Sequence, residues 1–216
     1  MFDPNDINIF ENILPKDIND EMHSVLMSHP RWTVVTDNLP IDIFQLTHGG
    51  CDAGMIICSF RNLESASIRI ESERIRTDSD QGDPTMNDLN FYGDLIKKLV
   101  FNRCIVKNGY TSYEAFFNQT TVRYFWNYYH DSSVGVPHTD INEPNHWSII
   151  YYLNDNPGKG TIVWKPNEDG TVEEILVPHV AGNACIFPSH WRHSGTTPNK
   201  NTHRSCLNIL FKAELR

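Results

Sequence analysis

The clearest indication of the fold class is the stretch WSIIYYLNDNPGKGTIVWKPNEDGTVEEILVPHVAGNACIF, residues 147–187. It holds four strand-length runs rich in β-branched and aromatic residues, namely WSIIYYL, TIVW, EEILV and NACIF. The turn-forming sequences NDNPGKG, NEDG and HVAGN separate these runs, and no helical segment lies between them. The pattern therefore predicts an antiparallel sandwich or barrel and not alternating strands and helices.

The β-rich pattern continues on both sides of this stretch. TVRYFWNYY, residues 121–129, and RSCLNILF, residues 204–211, are two further runs of strand length. We therefore predict that residues 120–216 form an antiparallel β core. The chain has 216 residues, of which 39% are hydrophobic, so that it is long enough for one well-packed domain and short for two.

The N-terminal part, residues 1–119, is predicted to add helices and supporting strands to the same domain. Residues 15–28 begin with proline and place four apolar side chains on one helical face, Ile18, Met22, Val25 and Leu26. A second helix is predicted over residues 87–101. A third begins at Thr111, which has the spacing of a capping box with Glu114.

Between the first two helices, residues 31–86 have the composition of short strands and polar loops. The segment SDQGDPT, residues 79–85, combines glycine and proline in a polar run. We interpret it as a surface connector, with a mobile loop over a functional site as the alternative.

Charge, cysteine usage and hydropathy restrict the function classes. The net charge of -9 and pI near 5.5 argue against a general nucleic-acid binder, because such proteins concentrate Lys and Arg on one surface. The 5 cysteines are scattered and include no Cys-x-x-Cys pair, so neither a disulfide framework nor a zinc ribbon is predicted. A mean hydropathy of -0.43, no membrane-length apolar run and no signal-peptide pattern predict a cytoplasmic protein without membrane contact.

The sequence His138-Thr139-Asp140 supplies two metal-binding side chains two residues apart. On an extended strand these side chains point to the same face, so that one strand provides two ligands. A histidine from a distant strand would complete a triad of two histidines and a carboxylate, which suits non-haem iron(II) and leaves coordination positions open. His-x-Asp alone is weak evidence in a chain with 10 histidines.

The order of motifs around His138 is more specific. From about Thr120 to Phe211 the chain resembles the 2-oxoglutarate and iron(II)-dependent dioxygenases, and within them the prolyl-4-hydroxylase-like group with its phage-encoded relatives. The motifs are Tyr129 before His-x-Asp, then Tyr152-Leu153-Asn154 leading into Gly158-Lys159-Gly160-Thr161, and then Pro178, Gly182, Phe187 and Pro188 before the distal histidine.

This resemblance implies a mainly β fold with flanking α-helices, a double-stranded β-helix or jelly roll, that binds iron(II) through His138, Asp140 and His193. Family members carry a basic residue ten or eleven positions after the distal histidine, and Arg204 follows His193 by eleven. The spacing favours His193 as the third ligand, with His190 as the alternative. Arg204 would bind the distal carboxylate of 2-oxoglutarate through two parallel hydrogen bonds.

The resemblance implies two further co-substrate contacts. Tyr129 matches a tyrosine whose hydroxyl contacts 2-oxoglutarate, with a core aromatic as the alternative. Ser148 matches a small hydroxyl residue that lines the same pocket. Cys206 is interpreted as a small core residue that faces inward with Arg204. Gly135 stands where prolyl hydroxylases often have a second tyrosine, and we expect it to open space near the metal.

His146, His179 and His203 lack such context and are predicted to be surface or turn residues. The implied reaction is oxidative decarboxylation of 2-oxoglutarate by dioxygen to succinate and carbon dioxide, with ascorbate as an optional reductant. The hydroxylated substrate is a peptide, a small molecule or a modified base. Two rivals remain open, a cupin-like metal-binding jelly roll without oxygenase activity and a zinc hydrolase. A cupin needs no dicarboxylate anchor such as Arg204.

Overall fold

The computed structural model describes residues 6–28, 33–35, 52–58, 84–108, 116–131, 133, 135 and 137–215. Within these residues it has ten strands and two helices. In chain order they are β1 (Asn8–Phe10), α1 (Lys16–Ser28), β2 (Thr33–Val35), β3 (Asp52–Cys58), α2 (Pro84–Asn108), β4 (Phe116–His130), β5 (His146–Tyr152), β6 (Gly160–Pro166), β7 (Val172–Pro178), β8 (Ala184–Pro188), β9 (Arg192–Gly195) and β10 (His203–Leu215).

The strands form two sheets. The major sheet has the order β1-β8-β5-β10-β4-β3-β2, and the minor sheet has the order β7-β6-β9. Every pairing among β1 and β4 to β10 is antiparallel, which confirms the predicted antiparallel core. Strands β2 and β3 extend the major sheet in parallel to β4. The connection from β3 to β4 contains α2, because a parallel pair requires a long crossover.

Both faces of the major sheet are covered, which explains why its central strands read as continuous apolar runs. Strand β5 is buried along its whole length. One core lies between the helices and the sheet and includes Met22 and Ile96. The other lies between the two sheets and includes Tyr152, Val163 and Val177. The helices therefore support one face of the sheet, and the opposite face is available for a site inside the sandwich.

Helix α1 occupies the predicted segment, and Met22 and Leu26 of its predicted apolar face lie in the core with Ile18 packed against it, while Asn19 is buried as well. The buried side chains are Asn19, Met22 and Leu26. Ile18 and Val25 are only half-buried. The Asn19 amide donates to the carbonyl of Leu153 at 2.8 Å and accepts from the hydroxyl of Tyr151 at 2.6 Å. These two hydrogen bonds satisfy the buried amide and fix the rotation of the helix against β5.

Helix α2 confirms the second predicted helix and extends it at both ends. The prediction covered residues 87–101, and the helix runs from Pro84 to Asn108. The helix predicted from Thr111 and the connector residues 79–83 lie outside the described residues. Within the described part of the chain, neither helix is both long and apolar enough to cross a membrane.

Strands β1 and β9 were not predicted from the sequence. They have only three and four residues, NIF and RHSG, and neither contains a strand-length apolar run. Each is extended because it pairs with a stronger strand, β1 with β8 and β9 with β6. Strand β9 contains His193, the predicted third metal ligand.

Candidate active site

The segment around His138 meets strand β9 through an isolated antiparallel bridge. His138 N donates to the carbonyl of His193 at 3.0 Å, and His193 N donates to the carbonyl of His138 at 2.8 Å. Residues that exchange both hydrogen bonds lie directly opposite each other. The two imidazole centroids are accordingly 4.5 Å apart. A single bridge, and not the predicted regular strand, therefore positions the His-x-Asp segment.

The three predicted metal ligands converge in the structure. One potential ligand atom from each of His138, Asp140 and His193 lies within 4.8 Å of the other two. Asp140 and His193 are buried, and His138 is half-buried. This is the one group of its kind within the residues that the structure describes. His190, the alternative ligand, is exposed and does not belong to the group.

The hydrogen bonding of His193 fits the donor set of a metal centre. Its Nδ1 lies 3.0 Å from the carbonyl oxygen of Trp191. A carbonyl oxygen only accepts, so Nδ1 carries a proton and Nε2 is the ring atom that could bind a metal ion. This Nε2 lies 3.6 Å from Oδ2 of Asp140. Together with the ligand atom from His138, these two atoms form a donor set that fits a metal ion.

Two side chains orient the carboxylate of Asp140. The hydroxyl of Ser148 donates to its Oδ2 at 2.6 Å, and Nδ2 of Asn208 donates to the same oxygen at 3.3 Å. The Ser148 hydroxyl thus forms a hydrogen bond with Asp140, a predicted metal ligand. Asn208 was missed in the sequence, although it follows Arg204 by four residues on β10 and so lies on the same face of that strand.

Arg204 lies in the interior with only 3% of its surface exposed. Its Nε donates to Nδ1 of His179 at 3.3 Å, and its Nη2 donates to the hydroxyl oxygen of Thr161 at 3.0 Å. The guanidinium carbon lies 4.9 Å from the ring centroid of Tyr129, which is a cation–π contact. No carboxylate among the described residues forms an ion pair with Arg204. A buried charge without a counter-ion is costly, so this pocket is suited to an anionic ligand.

His179 was predicted to be a surface or turn residue. It lies in the predicted turn segment between β7 and β8, but it is not at the surface. Only 1% of its surface is exposed. Its Nε2 donates to Oδ1 of Asn154 at 3.0 Å, so that Nδ1 is free of a proton and accepts from Arg204. Burial, reinforced by the charge of Arg204, lowers the pKa of His179 to about 2. No motif in the sequence points to this role.

His146 and His203 were also predicted to be surface or turn residues. His146 is buried, contrary to the prediction, and its Nδ1 lies 3.0 Å from the carbonyl oxygen of Pro144. His203 is half-buried and stacks on Tyr128 with ring centroids 5.0 Å apart. Neither belongs to the group of converging ligand atoms.

Thr161 completes the polar side of the Arg204 pocket. Its Oγ1 accepts from the hydroxyl of Tyr152 at 2.9 Å as well as from Arg204. Burial raises the pKa of Tyr152, so that its hydroxyl remains a donor. Because Thr161 Oγ1 accepts from both neighbours, its own hydroxyl hydrogen is directed elsewhere. Thr161 belongs to the Gly158-Lys159-Gly160-Thr161 motif, but no role was predicted for it from the sequence.

Strand β9 connects the ligand group with the Arg204 pocket. A Cβ on Gly195 would lie 1.7 Å from Nη1 of Arg204, so the guanidinium occupies the space of the missing side chain. His193 and Gly195 lie two residues apart on one strand, which places them on the same face about 6.6 Å apart. The two halves of the site therefore face the same interior space.

Two other sequence interpretations can be compared with the structure. Cys206 is buried in the core between the sheets, as predicted. Gly135 does not open space, because a Cβ there would lie 1.6 Å from the carbonyl oxygen of Gly195. The glycine instead permits close approach of the backbone to β9, and the expectation of added room near the metal is wrong.

Comparison with known proteins identifies the fold. No protein-family model and no curated protein sequence matches the chain. A prolyl-4-hydroxylase from Pseudomonas putida superposes with a TM-score of 0.50 at 14% identity, covering 96% of this chain and 92% of that one. A Trichoplax adhaerens prolyl hydroxylase, solved with a peptide fragment of the oxygen degradation domain of hypoxia inducible factor, gives 0.54 at 15% identity, covering 96% and 84%.

These similarities define the class of fold. The chain is mainly β with flanking helices, and it has the double-stranded β-helix or jelly-roll fold of the prolyl hydroxylases, as the motif resemblance implied. At such low identity the similarity shows the fold and not the chemistry.

Proposed function

We propose that this chain is an iron(II)- and 2-oxoglutarate-dependent dioxygenase that hydroxylates a C–H bond of a peptide or small molecule. The observation that carries the proposal is the combination of two sites on one face of β9. His138, Asp140 and His193 converge at one end. At the other end is the buried guanidinium of Arg204, which has no acidic partner in the described chain.

The residues present fit iron(II) as the resident metal. Two imidazoles and one carboxylate on a rigid β scaffold are the ligand set of non-haem iron(II) oxygenases. When bound, the metal with 2-oxoglutarate and dioxygen supplies oxidative decarboxylation to succinate and carbon dioxide, coupled to substrate hydroxylation. Ser148 and Asn208 orient Asp140 for this purpose. Ascorbate would serve as an accessory reductant.

The Arg204 pocket fits the distal carboxylate of 2-oxoglutarate. Arg204 offers a planar, permanently charged group for bidentate hydrogen bonding, and the Thr161 hydroxyl lies beside it. His193 and Gly195 lie on the same face of β9, so a dicarboxylate held by Arg204 could extend toward the metal ligands. Tyr129 supports the guanidinium through its ring, while its hydroxyl is proposed to contact the co-substrate. Ser148 is proposed to act through Asp140.

Two features support the remaining parts of the proposal. The Trichoplax adhaerens neighbour was solved with a peptide fragment, which favours a peptide over a small molecule as the substrate class. Side chains from α1 and α2 share a core with the major sheet. This shared core supports one oxygenase domain over residues 1–216, with the jelly-roll core in residues 120–216.

The proposal is tested by measuring succinate formation. The protein is purified without oxygen, supplied with iron(II) and 2-oxoglutarate, and exposed to dioxygen with and without candidate peptides. We expect slow succinate release alone and faster release with a substrate. His138→Ala or Asp140→Ala abolishes release, whereas Arg204→Ala mainly raises the 2-oxoglutarate concentration that is required. Metal binding without any succinate formation would instead support the cupin-like alternative.

A further inference from the structure

We infer that His179 is a positioning residue, which orients the guanidinium of Arg204 toward the distal carboxylate of the co-substrate without neutralising its charge. This inference rests on the proposed function. It concerns a buried histidine that belongs to no motif of the resemblance.

The hydrogen-bond donors of Arg204 are only partly used within the chain. A guanidinium has five N–H groups in a fixed plane. Nε donates to His179 and one Nη2 hydrogen donates to Thr161. Three N–H hydrogens remain, two on Nη1 and one on Nη2. His179 and Thr161 thus hold Nε and Nη2, and the edge between Nη1 and Nη2 offers a carboxylate one hydrogen from each nitrogen for two parallel hydrogen bonds.

The proton of His179 lies on Nε2 and not on the nitrogen that faces Arg204. The orientation of the Asn154 amide is determined by its other contacts, because Oδ1 accepts from the backbone N of Ser205 at 2.8 Å and Nδ2 donates to the carbonyl of His203 at 2.8 Å. Oδ1 therefore also accepts from Nε2 of His179 at 3.0 Å. This leaves Nδ1 of His179 as a neutral acceptor for Arg204.

The neutrality of His179 also has an electrostatic consequence for Arg204. An aspartate in place of His179 would accept the same hydrogen bond from Nε, but it would form a buried ion pair with Arg204. The pocket would then have little attraction for an anionic ligand. A neutral imidazole orients the guanidinium and preserves its full positive charge for the ligand.

The experiment compares His179→Asn and His179→Asp, which have nearly the same shape and differ in charge. Protein loaded with manganese(II) in the absence of oxygen is titrated calorimetrically with 2-oxoglutarate and with pyruvate, which lacks the distal carboxylate. We expect His179→Asn to bind 2-oxoglutarate within a few-fold of wild type, because Oδ1 replaces Nδ1. Relative to wild type, His179→Leu should bind 2-oxoglutarate roughly tenfold more weakly, and His179→Asp roughly a hundredfold more weakly. The affinity for pyruvate should be the same in all variants.

The control is the same pair of substitutions at His146, another buried histidine, which should leave the preference for 2-oxoglutarate over pyruvate intact. Equal 2-oxoglutarate affinity in His179→Asn and His179→Asp would overturn the inference. Should His179→Asp fail to fold, equal affinities of His179→Asn and His179→Leu would overturn it as well. A wild-type protein that does not prefer 2-oxoglutarate to pyruvate would instead contradict the proposed function.

Discussion

The guanidinium of Arg204 fills the space that a side chain at position 195 would need, because a Cβ on Gly195 would lie 1.7 Å from Nη1 of the arginine. Gly195→Ala should therefore displace the guanidinium from its contacts with Thr161 and His179. We expect a loss of about 1–3 kcal/mol in the free energy of unfolding from overpacking. We also expect roughly tenfold weaker 2-oxoglutarate binding, measured by titration of the metal-loaded protein.

The control is a double-mutant cycle with Arg204→Ala. Once the guanidinium has been removed, the added methyl group meets no side chain at that place, so Gly195→Ala should cost much less stability in the Arg204→Ala background. Additive effects on the unfolding free energy would show that the glycine serves another purpose.

The choice between His193 and His190 can be decided by metal binding. His193→Ala removes a member of the converging group and should abolish stoichiometric binding of iron(II), measured by metal analysis after dialysis without oxygen. His190→Ala, an exposed position, should retain one metal ion per chain. Loss of metal in His190→Ala with retention in His193→Ala would reverse the assignment.

Ser148 has two competing interpretations that one substitution separates. The structure places its hydroxyl 2.6 Å from Oδ2 of Asp140, so Ser148→Ala should weaken iron(II) binding roughly ten- to a hundredfold. If Ser148 acted mainly as a wall of the co-substrate pocket, metal affinity would be unchanged and 2-oxoglutarate affinity would fall. Ser205→Ala is the matched control, since Ser205 is a buried serine whose Oγ lies beside His23.

His179 should make the stability of the metal-free protein depend on pH. Its pKa is lowered from 6.5 in the unfolded chain to about 2 in the folded one, mainly by burial. Between these values the unfolded chain binds a proton that the folded chain does not, so the contribution is complete above pH 6.5 and is lost as the pH falls. We expect up to about 1.4 kcal/mol per pH unit from this group.

The measurement is chemical unfolding of wild type and His179→Asn between pH 7.5 and pH 4.5. The carboxylates titrate alike in both proteins, so the difference between the two stability curves isolates the histidine. Parallel curves would contradict the assignment of His179 as a buried neutral group.

Much of the architecture could be read from local patterns. The β-rich runs after residue 120 became antiparallel strands, and the helical spacing in residues 15–28 became α1, because burial demands apolar residues at the period of each element. The burial of Asn19 on α1 was not predicted, since periodicity cannot anticipate that its amide finds partners in Tyr151 and Leu153. Short β9 was missed because pairing with β6, and not its own composition, makes it a strand.

By itself the sequence predicted the class of the core and pointed to His138, Asp140, His193 and Arg204 as candidate site residues, because both predictions depend on the order and spacing of motifs along the chain. Only the tertiary structure determined which side chains contact these residues. The contact of His179 with Arg204, the Ser148 hydroxyl on Asp140 and the room beside Gly195 arise from strand register and from side chains far apart in sequence. Such contacts produce no periodic pattern in the sequence, because each depends on which distant residues the fold brings together.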